Sequence, residues 1–288
     1  MRALVCSGGA VKGAYQVGVL KKWMYEDGLD YDILCGISVG AINTAYISQF
    51  KIGTPKTTWE ALRSMWSRVS TDKVWKSWFL GKVESLWKPS IYNSQPLIDW
   101  ITSELDEKAI AESGRKLRIG SVAWDTGEYR VVSEIQPNIA KWVTASASFP
   151  VFLLPIDIGG KLWSDGGLRN VTPLGEAIKA GATQIDVIMC SNPDLPSSWP
   201  TKGQAAIPDY VLQTLTIMSD EIVRGDLQIC GLKNDIAELC DKYKKIEIRV
   251  VMPAGPLCGN SLEFDPAEIE KMIGIGYADA CNACLPTS

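Results

Sequence analysis

The 288-residue chain contains no histidine. That absence excludes a Ser-His-Asp triad and every metal site built on imidazole. The formal net charge is −4, so no basic excess argues for a nucleic-acid partner. No apolar run reaches the roughly 18 residues that a membrane-spanning helix needs. Internal repeats and low-complexity tracts are missing as well. The eight cysteines form no paired Cys-x-x-Cys framework, and Cys281-Asn-Ala-Cys284 has no second pair to complete a zinc site. Neither a metal nor a cofactor is expected. The opening "RALVCSGG" reads as a strand entering a glycine turn rather than a signal peptide. Reduced thiols and a cytoplasmic location are therefore expected.

What is present is a globular composition, 46% hydrophobic and 22% charged. Strand-like runs at Arg2–Cys6, Tyr31–Cys35, Gln184–Cys190 and Ile246–Val251 alternate with helix-like stretches. Val17, Leu20 and Met24 share one helical face. Further helices are expected from Ser38 to about Phe50, at Asn138–Ala145, in "LGEAIKAGA", over about 208–243 and at Pro266–Ala280. "KLRIGSVAWDTGEYRVVSE" reads as a hairpin turning at Asp125-Thr126-Gly127. Such alternation predicts a three-layer α/β/α domain over 1–288 with a mainly parallel central sheet. Residues 51–115 differ. They carry six tryptophans with patchy periodicity and read as a helical and loop cap insertion, with one helix from about Pro96 to Leu105.

Three segments carry chemistry. Gly36-Ile37-Ser38-Val39-Gly40 matches Gly-x-Ser-x-Gly between a buried strand and a helix, the setting of a nucleophile elbow. Its bland alternative is a Gly-Ser helix cap. With histidine absent, a lysine or a carboxylate must take the proton from Ser38; Ala41 stands where a Ser-x-x-Lys pairing would need its lysine, and a carboxylate can act if burial raises its pKa. Asp165, in "KLWSDGGLRN" ahead of Gly166 and Gly167, is the best candidate, although Asp-Gly pairs are often simple turns. Asp125 and Asp157 read as such turns. An aspartate is a weak base, so oxyanion stabilisation matters more. The first glycine turn, "CSGGAVKG", supplies consecutive amides from Gly8, Gly9 and Ala10, with Lys12 and Gly13 close behind. A dinucleotide reading needs Gly-x-Gly-x-x-Gly and fails because Ala10 holds its third position and because the acid after the second strand is missing.

Together these segments resemble the patatin-like phospholipases over nearly the whole chain. The resemblance implies a calcium-independent lipid acyl hydrolase of phospholipase A type. Ser38 would be its nucleophile, Asp165 its base, and the Gly8, Gly9 and Ala10 turn its oxyanion hole. An acyl-enzyme would form and be released by water. Two departures stand out: Ala10 replaces a glycine, and Lys12 an arginine. They motivate one rival reading, a lipid-binding pseudoenzyme; the other rival is the same fold hydrolysing neutral glycerides or thioesters. "DKVWKSWFLGKVESLWK" interleaves lysines with Trp75, Trp78, Phe79, Leu80 and Trp87. The 73–88 segment could make a transient, peripheral contact with an anionic membrane, or could simply pack as a cap.

Overall fold

The computed structural model describes residues 1–78, 87–195, 246–257 and 260–283, with positions 210, 211, 213, 214, 217, 218, 220–222, 224, 225, 228 and 231 between them. Five parallel strands form the centre of the sheet in the order β8-β7-β1-β2-β3. They are β1 (Arg2–Cys6), β2 (Ile33–Gly36), β3 (Lys116–Ala123), β7 (Gln184–Ile188) and β8 (Glu247–Val251). Three antiparallel strands complete it: β4 (Tyr129–Ser133), β5 (Ile156–Ile158) and β6 (Lys161–Asp165). The sheet is thus parallel at its centre and antiparallel around β3. Asp157, read as a turn residue, instead lies in β5, where its Oδ1 accepts from the Gly160 amide at 2.9 Å and shapes the β5–β6 hairpin.

Strand alternation separates two apolar layers. Ala3, Val5, Ile33, Cys35, Ile185 and Val187 face a smaller core with α8 (Leu174–Lys179). Leu4, Cys6 and Leu34 face the larger core, built from α1 (Gly13–Leu20), α2 (Val39–Ser48), α3 (Pro55–Trp66), α7 (Ile139–Ser146) and α9 (Pro266–Asn282). Helices on both faces make the domain a three-layer α/β/α fold. The helix after α1 changes to a π-helical stretch over Lys21–Glu26, yet Val17, Leu20 and Met24 are all fully buried, as their spacing requires.

Three short helices, α4 (Thr71–Val74), α5 (Gln95–Glu104) and α6 (Glu107–Glu112), join α3 within the tryptophan-rich stretch. Its rings mostly pack. The Trp66 indole donates to Asn43 Oδ1 at 2.8 Å, that of Trp75 to the Leu262 carbonyl at 2.8 Å, and that of Trp78 to the Ser90 carbonyl at 3.1 Å. Trp87 is 78% exposed. Phe79, Leu80 and the rest of 79–86 lie outside the described residues, as does much of the expected 208–243 helix, whose described positions between 210 and 231 are helical. No helix among the described residues is long and apolar enough to cross a membrane.

Two glycines let α1 and α9 cross at backbone contact. A Cβ at Gly18 would lie 2.0 Å from the Ile273 carbonyl oxygen, and one at Gly276 would lie 2.1 Å from that of Tyr15. Replacing Gly276 by alanine must push the helices apart. Urea denaturation of Gly276→Ala should show a loss of about 1–3 kcal/mol, the usual range for overpacking.

Candidate active site

Pairing along β3 places the two catalytic candidates. Ile119 pairs with Gly36 of β2 and with Val132 of β4, so those strands flank β3 on opposite edges. Ser121 pairs with Arg130 of β4 and with Asp165 of β6. Strand β6 therefore occupies the same edge of β3 as β2, further along and running the other way. The C-terminal ends of β2 and β6 point at each other across a gap of one β3 residue, Gly120. Side chains leaving those ends, Ser38 and Asp165, both line one cavity of about 170 Å³. The junction is crowded: a Cβ at Gly166 would lie 2.4 Å from the Gly120 carbonyl oxygen.

Ser38 sits on the corner with φ 57 and ψ −127, so it caps α2 from outside the helix rather than beginning it. The flanking glycines are sterically required. A Cβ on Gly36 would lie 2.3 Å from the Gly40 carbonyl oxygen, and one on Gly40 would lie 2.2 Å from that of Cys6. The Ser38 amide donates to Ser146 Oγ at 3.1 Å. That hydroxyl, at the end of α7, ties the strained corner to a buried helix.

Asp165 is 2% exposed. Its Oδ1 accepts from the Gly167 amide at 2.7 Å, and its own amide donates to the Ser148 carbonyl at 3.1 Å. Oδ2 is buried without a full hydrogen bond among the described residues. Burial pushes the carboxyl up to about 7, against the opposing pull of the Gly167 amide and the nearby Ser38 hydroxyl.

The glycine turn lines the same cavity through Gly8, Gly9, Ala10 and Lys12. Its amides are not equivalent. Gly8, expected as a donor, gives its N–H to the Val171 carbonyl at 3.2 Å. It matters instead for space, since a Cβ there would lie 3.2 Å from that of Ser38. Gly9 and Ala10 donate to no described residue, and neither does Val39, whose amide opens α2 beside Ser38. Gly9 abuts Cys190, whose Cβ would be 2.3 Å from an added methyl. Ala10 holds φ 51, the left-handed region that a glycine would occupy without strain. Gly13 is pressed by Val39, 2.3 Å from the position of a Cβ.

A buried polar chain beneath the turn was not foreseen. Trp66 donates to Asn43, Asn43 Nδ2 to Gln16 Oε1 at 2.8 Å, and Gln16 Nε2 to the Ser7 carbonyl at 2.8 Å. Gln16 and Asn43 are fully buried. Their signal was a lone amide side chain in each of two apolar helices, but nothing in the sequence named their partners. Away from the polar end the cavity is apolar, walled by Val74, Leu97, Trp100, Phe149 and Phe264. No cluster of three metal-ligating side chains occurs among the described residues.

The profile of the patatin-like phospholipase family matches residues 4–178, so the chain belongs to that family. It is 27% identical over 187 residues to lysophospholipase NTE1 of Kluyveromyces lactis, covering 62% of this chain and 12% of that protein. It is 25% identical over 192 residues to the uncharacterised protein YjjU of Escherichia coli, covering 65% of this chain and 51% of that one. The chain thus spans about half of the one relative and an eighth of the other. Among solved structures, VipD of Legionella pneumophila aligns over 98% of this chain and 66% of its own, at 12% identity and a TM-score of 0.48.

Two stability predictions follow from this geometry. Ala10→Gly relieves a left-handed alanine worth about 1–2 kcal/mol of strain and loosens the unfolded chain by about 0.4–1 kcal/mol. It should raise the urea midpoint slightly. Because the Asp165 carboxyl is raised, the stability it contributes is complete below about pH 4 and is lost as pH climbs through 7. Asp165→Asn carries no charge, so its advantage over wild type should widen by about 2–4 kcal/mol between pH 4 and 8, at about 1.4 kcal/mol per pKa unit.

Proposed function

We propose that the protein is a lipid acyl hydrolase in which Ser38 and Asp165 act as a dyad on an acyl ester. The observation that carries this reading is a strained serine and a deeply buried carboxylate, poised near neutrality, on one cavity with an apolar arm. Family membership supports lipid esters as the substrate class.

In this mechanism Asp165 Oδ2 takes the Ser38 hydroxyl proton as Oγ attacks the ester carbonyl. A carboxyl near 7 is well matched to that role at neutral pH, because it is partly ionised yet basic enough to hold the proton. The amides of Gly9, Ala10 and Val39 are unengaged by described residues and available to the oxyanion, where one donor is worth about 3–4 kcal/mol. The protonated Asp165 then gives its proton to the departing alcohol. Water next attacks the acyl-enzyme, again losing its proton to Asp165, and Ser38 is restored. The acyl chain lies along Leu97, Trp100 and Phe264. Alanine at position 10 keeps the turn's left-handed corner, which favours a working enzyme over a lipid-binding pseudoenzyme. Surface contact with lipid falls to exposed Trp87 within the 73–88 segment, since Trp75 and Trp78 are held by carbonyls.

A fluorophosphonate probe should label wild type at Ser38, and Ser38→Ala should take no label. Hydrolysis of a defined phospholipid should fall at least a thousandfold in Ser38→Ala and in Asp165→Asn, with both variants folded. Wild-type kcat/KM should rise with pH to a plateau, with its midpoint near 7. Full activity in Ser38→Ala would overturn the reading.

A further inference from the structure

The polar end of the cavity holds two opposite charges that the proposed chemistry does not use. Lys12 ends the glycine turn, and Asp220, one of the described helical positions between 210 and 231, also lines the cavity. Both line the space that contains Ser38. They attract one another, and Lys12 is the stronger of the two cations acting on Asp220, ahead of Arg224. Yet among the described residues Lys12 forms no ion pair with any carboxylate. Arg224 is turned elsewhere, to Asp194 at 3.4 Å and to the Pro193 carbonyl. The polar contact of Asp220 is a long one, from the Ser191 hydroxyl at 3.5 Å. Two half-buried, opposite charges facing one cavity without closing on each other leave room for a ligand that carries both signs.

We propose that Lys12 and Asp220 form a head-group subsite for a zwitterionic phospholipid, with the phosphate against Lys12 and the ammonium against Asp220. The kinetic arm of this proposal rests on the acyl-hydrolase reading; the binding arm does not. Lys12 follows the candidate oxyanion donor Ala10 by two residues, so a phosphate on the alcohol side of the ester lies within its reach. Ammonium at the far side of that phosphate then meets Asp220. A glycerol or inositol head group brings no cation, and it leaves the desolvated carboxylate of Asp220 facing an anion. A neutral glyceride engages neither charge.

The test uses substrates of one acyl chain with ethanolamine, choline or glycerol phosphate head groups, plus the monoacylglycerol, all in neutral detergent micelles. Wild type should favour at least one of the two zwitterionic lipids over the glycerol head group by about tenfold or more in KM. Asp220→Asn should collapse that ratio to within about threefold, and Lys12→Met should lose the preference for phosphate over monoacylglycerol. A preference left intact in Asp220→Asn, or a wild type indifferent to head group, overturns the proposal. A preference confined to ethanolamine or to choline supports it and identifies the ammonium. Binding of the same lysolipids to full-length Ser38→Ala, followed by equilibrium dialysis of radiolabelled lipid, reads the preference without turnover. If no ester is cleaved and Ser38 resists the phosphonate probe, the hydrolase reading fails. Equal affinities in the binding arm would separately sink the head-group subsite.

Discussion

The structure turns on one shared edge. Strands β2 and β6 both hydrogen-bond to the same side of β3, approach from opposite directions and stop one residue apart. Each ends where it does because the other fills the rest of the edge. Gly166 brings its backbone to contact distance of the Gly120 carbonyl there, while the missing side chain of Gly120 makes room for Tyr129 and Ile37. Two residues separated by most of the first half of the chain thereby come to face one cavity, held by main-chain pairing rather than by a flexible loop. Main-chain pairing also explains how a carboxylate can be kept in so dry a place. The Asp165 backbone belongs to a sheet and its Oδ1 is held by an amide, so the other oxygen is left buried without a full partner.

Strain gathers around the same point. Four described non-glycine residues have left-handed backbone, and two of them, Ala10 and Ser38, line the cavity. Each is held in place by its neighbours, as strained backbone must be to persist. Ser146 grips the Ser38 amide, while the Trp66–Asn43–Gln16–Ser7 chain props the glycine turn from below. After these bonds the amides of Gly9, Ala10 and Val39 are left without a described partner beside the cavity.

Much of this was legible in the sequence. The strand, turn and helix around Gly36–Gly40 could be read because a buried strand ending in Gly-x-Ser-x-Gly leaves few other local solutions. The glycine turn and Asp165 stood out for the same local reason, and histidine's absence pointed to a carboxylate. What could not be read was long-range. Nothing local shows that β6 runs antiparallel into the edge already begun by β2. Nor does it reveal that Gly8 has its amide occupied by Val171, or that Gln16 meets Asn43. Helices α4 and α6 went unplaced because four and six residues are too few to show a helical period, and in α3 the indoles of Trp59 and Trp66 are fixed by the Val17 carbonyl and the Asn43 side chain, partners that nothing local announces. Asp220 was invisible for want of its neighbours Lys12 and Ser191.

The glycine crossing between α1 and α9 bears on how the protein is made. Helix α1 issues from the glycine turn, and its contact face stays uncovered until the chain has been extended through Pro266–Asn282. The Val11 amide likewise waits for the Ser261 carbonyl. A nascent polypeptide on the ribosome therefore carries the serine corner long before Ser261, Leu262 and Phe264, the opposite wall of its pocket, are translated. The cavity that Ser38 lines thus takes its final shape only after every described strand of the sheet has been made.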